Sequence, residues 1–215
     1  MAMARHPILA REGWIDIIVL ASAGTAVHYF AGWPWAIPIW VLLAFVTQFF
    51  RDPHRKIPAL PLGIICPADG RVVSVGDIHD PYLDRESRRV SIFMNVLNVH
   101  SNRSPIEGLV KERWYNPGRF FNASLDKAAS ENERNALWIQ TDEGDDIVVV
   151  QVAGLIARRI LCYKQPGERI GQGERFGFIR YGSRVDVYLP ANADIKVSLG
   201  DKVKSGSDVL AMLKH

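Results

Sequence analysis

The sequence predicts a mainly β protein, a compact β-sandwich or barrel, preceded by an N-terminal membrane helical hairpin. Three observations predict it. Two apolar runs fill most of the first fifty residues. Past Pro58 the chain turns to short runs rich in β-branched and aromatic residues, cut by Gly, Pro, Asp and Asn. At 215 residues, 48% of them hydrophobic, the chain can build one core of ordinary size with length left over.

The hairpin comes first. Residues 14–31 read WIDIIVLASAGTAVHYFA and residues 33–50 read WPWAIPIWVLLAFVTQFF. Their only groups able to carry charge near neutral pH are Asp16 and His28, both near the ends of the first run. Each 18-residue run, as a helix, reaches roughly 27 Å, close to the ~30 Å of a hydrocarbon core. Gly32 separates them, Pro34 and Pro38 are expected in the first turns of the second helix, and Trp14, Trp33, Trp35 and Trp40 suit an interfacial belt. Arg5 and Arg11 precede the pair; Arg51, Arg55 and Lys56 follow it. A hairpin puts both basic flanks on one side, and the positive-inside rule makes that side the cytoplasm. The predicted anchor is residues 1–56, spanning or re-entrant, in the inner cell membrane. The predicted β domain, residues 57–215, lies on the cytoplasmic side.

Asp52-Pro53 and Ile57-Pro58-Ala59-Leu60-Pro61 form a stiff link. Strands are then predicted around 71–75, 90–94, 147–152 and 184–189, with one helix near Asn122 to Glu133. Two segments share an outline in which a turn leads into a strand: Pro67-Ala68-Asp69-Gly70-Arg71-Val72-Val73, and Ala193 to Val197 with Gly200-Asp201-Lys202-Val203 and Ser205-Gly206. Both are similar to the half-motifs of biotinyl/lipoyl-type sheets, a statement about fold alone.

Composition excludes several classes. A net charge of +3, with no basic run interleaved with aromatics, argues against a nucleic-acid partner. Cys66 and Cys162 form neither a CxxC pair nor a disulfide scaffold and read as reduced core residues. No HxH, HExxH or paired Cys appears, so no metal is expected.

The sharpest local feature is Gly182-Ser183, set between two strand-like runs in residues 175–190, RFGFIRYGSRVDVYLP. Alone, a Gly-Ser pair is a turn. With its context it resembles the processing site of the short, bacterial and archaeal-type phosphatidylserine decarboxylases. Other stretches resemble that family in the same order: Phe49-Phe50-Arg51-Asp52-Pro53, Pro67-Ala68-Asp69-Gly70, Asn98-Val99-His100-Ser101-Asn102-Arg103-Ser104-Pro105, Asn122 to Asn135, and Gln151 to Arg159. The resemblance runs from about residue 10 to 213.

The resemblance implies a proenzyme that breaks its own chain between Gly182 and Ser183. The Ser183 hydroxyl attacks the Gly182 carbonyl, the peptide becomes an ester, and β-elimination leaves dehydroalanine. Tautomerisation, addition of water and loss of ammonia then give a pyruvoyl group at the head of residues 183–215. That covalent group is the implied cofactor. Its carbonyl forms a Schiff base with the amine of phosphatidylserine and takes up the electrons released with CO2, and phosphatidylethanolamine leaves. The implied partners are phosphatidylserine, the bilayer, and the chain's own two fragments, 1–182 and 183–215, as a heterodimer; homo-oligomerisation is left open.

Residue types at the matched positions suit this chemistry. Gly182 tolerates a strained backbone and leaves its carbonyl open. A serine hydroxyl needs a base, and Asp69 and His100 are the candidates. His100 also suits reprotonation of the substrate carbanion. Longer relatives carry a second histidine three residues beyond the position of His100; here it is Arg103. Either His100 serves both steps or Asp69 acts with another partner, and Arg103 becomes a candidate ligand for the lipid phosphate or carboxylate.

Two rival readings stand beside this one. The first is a membrane-tethered lipoyl-type carrier modified at Lys127, since Asp126-Lys127-Ala128 resembles a lipoyl tip; its flanks read as helix and not as a hairpin. The second is a pyruvoyl enzyme for a soluble amino acid, which would have no use for the anchor.

Overall fold

The computed structural model describes residues 8–120, 131–154, 159–180 and 182–214. The chain divides into two compact units, Met1–His54 and Arg55–His215.

In the first unit a short 3-10 turn, Arg11–Gly13, leads into α1 (Trp14–Ala31), and α2 (Trp33–Phe49) follows after Gly32. The two helices pack against each other. Uninterrupted apolar sequence explains both, and large side chains such as Ile15, Ile18, Tyr29, Phe30, Trp35 and Val41 are exposed along them. Arg11–Ala31 is long and apolar enough to cross a membrane, with a mean hydropathy of 1.4; Trp33–Phe49 is a shorter apolar helix. Pro34 lies in the first turn of α2, whereas Pro38 lies inside the helix. The ends of the unit meet in a small bridge: the Ala10 N–H donates to the Phe50 carbonyl at 2.7 Å.

The second unit is built from strands. In chain order they are β1 (Gly63–Ile65), β2 (Gly70–Asp80), β3 (Arg85–Met94), β4 (Ser101–Arg103), β5 (Gly108–Asn116), β6 (Arg134–Gln140), β7 (Asp146–Ala153), β8 (Ile160–Cys162), β9 (Arg169–Ile170), β10 (Arg175–Ile179), β11 (Ser183–Pro190), β12 (Asp194–Ile195), β13 (Lys202–Val203) and β14 (Val209–Met212). The main sheet is antiparallel and curled, in the order β13-β2-β3-β11-β7-β6-β5-β9. Two three-stranded sheets, β1-β14-β12 and β4-β10-β8, complete the unit. Each strand expected from sequence lies inside an observed one: 71–75 in β2, 90–94 in β3, 147–152 in β7 and 184–189 in β11. The half-motif segments pair with each other, Lys202 opposite Arg71 and Val203 opposite Gly70.

Alternation explains the packing. Val185, Val187 and Leu189 of β11 join Val90, Ile92 and Met94 of β3 and Ile147 and Val149 of β7 in the main core. The opposite face carries a second cluster of Ala136, Val148, Val150, Val152 and Tyr188, with Trp114 and Trp138 against it. β7 is therefore buried on both faces, which its near-continuous apolar sequence IVVV requires. On that second face, Arg184 and Asp186 are fully buried and paired at 2.8 Å.

The helix expected over Asn122 to Glu133 falls mostly outside the described residues. Of its last residues, Glu131 is helical and Asn132 forms an isolated bridge with Arg119, before β6 starts at Arg134. Cys66 is buried and Cys162 half-buried, both as free thiols. Cys162 is thus a strand residue at the rim of the core.

Candidate active site

Ser183 is the first residue of β11, the strand that takes the fourth place in the eight-stranded order. It pairs with Met94 of β3 on one side and with Ala153 of β7 on the other. Residues directly opposite in a sheet share a face, so Ser183 looks into the main core between these two side chains. It is wholly buried, and its Oγ has no hydrogen-bond partner among the described residues. A buried hydroxyl without a partner carries a desolvation cost of about 1–3 kcal/mol, so no hydrogen bond of this side chain stabilises the fold.

Gly182, just before it, has φ +64°, in the left-handed region. A Cβ there would meet nothing within 4 Å, so the glycine answers to backbone conformation and not to crowding. The carbonyl that Ser183 would attack therefore sits in a conformation other residues adopt at a cost of about 1–2 kcal/mol.

His100 ends the loop between β3 and β4. β4 pairs with β10, the strand leading to the Gly-Ser pair, and the Ile179 N–H donates to the His100 carbonyl at 3.3 Å. The histidine is wholly buried, with its ring 6.4 Å from that of Phe178. Nδ1 lies 2.9 Å from the Asn98 carbonyl oxygen. A carbonyl only accepts, so Nδ1 carries the hydrogen and the neutral ring keeps its lone pair on Nε2.

Asp69 lies in the turn before β2. One row in, Arg71, Phe93 and Arg184 stand side by side across β2, β3 and β11. With neighbouring strands ~4.8 Å apart, Asp69 is at the same end of the sheet as Ser183, two strands over. Both its oxygens are engaged: Oδ2 pairs with Arg55 Nη2 at 2.7 Å, and Oδ1 accepts the Ser205 N–H at 2.7 Å. Arg103 is also buried; its Nη1 donates to the Gly173 carbonyl at 3.2 Å and its N–H to the Pro67 carbonyl at 2.9 Å. Arg103 and Arg55 both touch the space beside Gly206.

The structure thus brings Ser183, Gly182 and the strand that starts directly after His100 to one end of the sheet. Asp69 and Arg103 belong to a neighbouring cluster with Arg55, Ser205 and Gly206. Sequence reasoning missed Arg55 in that cluster, because its charge was read only as a topology signal. It also gave no role to Asn102 and Gln151, although both lie in stretches that resemble the family. Cys66 lies near this cluster; burial pushes its thiol well above the usual range, with Asp208 and Asp69 adding to the rise. Lys127 lies outside the described residues. No group of three or more His, Cys, Asp or Glu able to hold a metal occurs among the described residues.

At the end of the curled β-sheet, then, a buried serine hydroxyl without a hydrogen-bond partner among the described residues follows a left-handed glycine. A family model described as phosphatidylserine decarboxylase matches residues 42–211. The phosphatidylserine decarboxylase proenzyme of Nitrosomonas europaea is 58% identical over 206 residues, covering 96% of this chain and 95% of its own length. The proenzyme of the same name from Aromatoleum aromaticum is 57% identical, covering 97% of each chain. That from Burkholderia vietnamiensis is 56% identical, covering 98% of each. The chain belongs to the phosphatidylserine decarboxylase family and is an enzyme.

Proposed function

We propose that the chain is made as a precursor, splits between Gly182 and Ser183, and then converts phosphatidylserine to phosphatidylethanolamine and CO2. The observation that carries this reading is the Ser183 hydroxyl, buried without a hydrogen-bond partner beside a glycine at φ +64°.

Each residue has a task. Ser183 Oγ adds to the Gly182 carbonyl carbon while a base takes its proton. His100 fits that base, since its Nδ1 bond to Asn98 leaves Nε2 as the accepting nitrogen. Asp69, held by Arg55 and the Ser205 N–H, is the second candidate and would act from the adjoining turn. After the acyl shift, loss of the residue 183 α-proton breaks the Cβ–O bond and releases Gly182 as a carboxylate. One water enters and one ammonia leaves as residue 183 becomes a pyruvoyl group.

The site fits that group. Residue 183 sits between Met94 and Ala153, so a keto group there would replace a hydroxyl that already has no partner. When present, the pyruvoyl carbonyl supplies an electron sink for decarboxylation of an amine-bearing substrate. His100 holds the proton that returns to the substrate carbon. Arg103 offers a cation for the lipid's phosphate or carboxylate.

Several features support the remaining parts. β11 is paired along both edges, and β12, β13 and β14 bond to strands of the larger fragment or to each other, so residues 183–215 would stay bound to residues 1–182 after cleavage. The apolar helix pair fits residues 1–56 as an anchor, and its basic flanks favour a cytoplasmic catalytic domain at the inner membrane.

The test is reductive trapping. Purified enzyme is treated with phosphatidylserine and cyanoborohydride, then denatured and weighed. The reading expects the 183–215 fragment alone to gain the lipid's mass. A lipid adduct on a lysine of the larger fragment, or none on either, would contradict it.

A further inference from the structure

Three carboxamides, Asn102, Asn135 and Gln151, lie wholly buried within the second unit. They form one directed chain. Arg113 Nε donates to Asn135 Oδ1 at 2.7 Å, Asn135 Nδ2 to Gln151 Oε1 at 3.1 Å, and Gln151 Nε2 to Asn102 Oδ1 at 2.8 Å. Gln151 Nε2 also donates to the Leu161 carbonyl at 3.2 Å. The order sets itself. Arg113 can only donate, which turns the Asn135 oxygen toward it; the Leu161 carbonyl can only accept, which turns the Gln151 nitrogen toward β8.

Burying amides costs free energy that apolar side chains of the same volume would not. A fully satisfied buried network does, however, fix one arrangement of the elements that carry it. Here those elements are two separate sheets. Asn135 and Gln151 belong to the eight-stranded sheet; Asn102 and Leu161 belong to β4 and β8 of the small one. Both halves of the candidate site meet at this seam. β4 begins immediately after His100, and its partner β10 runs into Gly182. Gln151 is the β7 partner of Val185, two residues along the same face from Ser183. At the end of the chain Asn102 Nδ2 turns to Met94 Sδ at 3.9 Å, and Met94 is the residue opposite Ser183. The seam closes over Gly177, where a Cβ would stand 2.5 Å from both Gln151 Nε2 and the Leu161 oxygen.

We propose that Gln151, through Asn102, is a positioning residue: it locks β4, the strand that starts directly after His100, onto the sheet bearing Ser183 and so sets the geometry of self-cleavage. This rests on the reading that the 182–183 bond is cut with help from His100. Gln151 touches no reacting atom; it acts through the placement of β4.

The test times self-cleavage of the full chain after cell-free synthesis into bilayer nanodiscs, by denaturing mass spectrometry. Gln151→Met keeps length and loses the hydrogen bonds; Asn102→Leu breaks the same bond from the other side. Melting of each variant in a Ser183→Ala background, which stays whole, reports whether it is folded. The expected result is folded variants whose cleavage half-time is at least tenfold longer, with the double variant no slower than the slower single one. Gln151→Glu keeps one donor and one acceptor while its buried carboxyl is protonated; it should cleave near the parent rate at pH 6 and slowly at pH 8, with Gln151→Met slow at both. Folded variants that cleave at the parent rate would overturn the proposal. So would single effects that multiply in the double variant, a flat pH response of Gln151→Glu, or loss of fold in both single variants, which would assign the amides to stability alone. A parent chain that never splits would instead remove the reading beneath it.

Discussion

The main-chain N–H of Ile179 donates to the carbonyl of His100 at 3.3 Å, which ties the histidine to the strand that ends four residues before Ser183. The proposed role of His100 at residue 183 therefore leans on a backbone ladder, in which β4 starts directly after the histidine and pairs with β10.

Gly182→Ala tests the backbone half of this arrangement. Space for a Cβ is open, so the substitution changes φ preference and little else. Left-handed conformation costs alanine about 1–2 kcal/mol. If cleavage proceeds from that conformation, the rate falls by about tenfold, at ~1.4 kcal/mol per factor of ten. Melting temperature in a Ser183→Ala background should hardly move, because residue 182, with open space around it, relaxes out of the left-handed region when no cleavage demands it. Unchanged cleavage of Gly182→Ala would show that the left-handed conformation is not required.

Asp69 and Arg55 form a mostly buried pair at 2.7 Å. Arg55→Ala leaves the carboxylate with the Ser205 N–H. Breaking a buried pair from one side costs roughly 3 kcal/mol. The expected outcome is a lower denaturant midpoint with an unchanged m-value, together with slower cleavage if Asp69 serves Ser183. A midpoint within experimental error of the parent would show that the pair contributes nothing.

The two thiols should differ. Cys66 is buried and its pKa is raised, so its thiolate is scarce and sealed away; Cys162 is half-buried. Native protein at pH 8 should take up one maleimide, at Cys162, and a second only in denaturant. Fast native labelling at Cys66 would mean that the core around Ile64 and Ala68 opens.

His79, exposed near the end of the β2–β3 hairpin, bonds Asp84 at 2.8 Å with Glu86 at 3.5 Å. The Asp84 bond is the main cause that raises its pKa above 6.5. Such a group stabilises fully below its unfolded value and loses that contribution as pH rises through the folded value. An NMR titration should find its midpoint above 6.5 and, in Asp84→Asn, a lower one. A midpoint unaffected by Asp84→Asn would remove this pairing from solution.

Legibility in the sequence followed the range of the signal. The hairpin could be read almost to the residue, because each helix is one uninterrupted apolar run and Gly32 breaks them; only the last residue of the second run, Phe50, falls outside α2. Strands were legible where β-branched residues cluster, as in 147–152. Their order was not, since a short strand carries no record of its partner; nothing local says that Ser183 stands between Met94 and Ala153. Gly182-Ser183 and His100 were found through motif resemblance. The amide chain was invisible, because Asn102, Asn135 and Gln151 lie far apart in sequence and the matched stretches that hold them say nothing of which side chains touch. Arg55 was seen but assigned to topology, since its bond to Asp69 spans a proline-rich link.

Intact mass under denaturing conditions tests the central claim most directly. Enzyme that decarboxylates phosphatidylserine should resolve into two polypeptides, residues 1–182 and 183–215, the smaller lighter than its sequence by the change from an N-terminal serine to a pyruvoyl group. Active enzyme recovered only as an unbroken chain of 24.1 kDa with an ordinary serine at 183 would contradict the account.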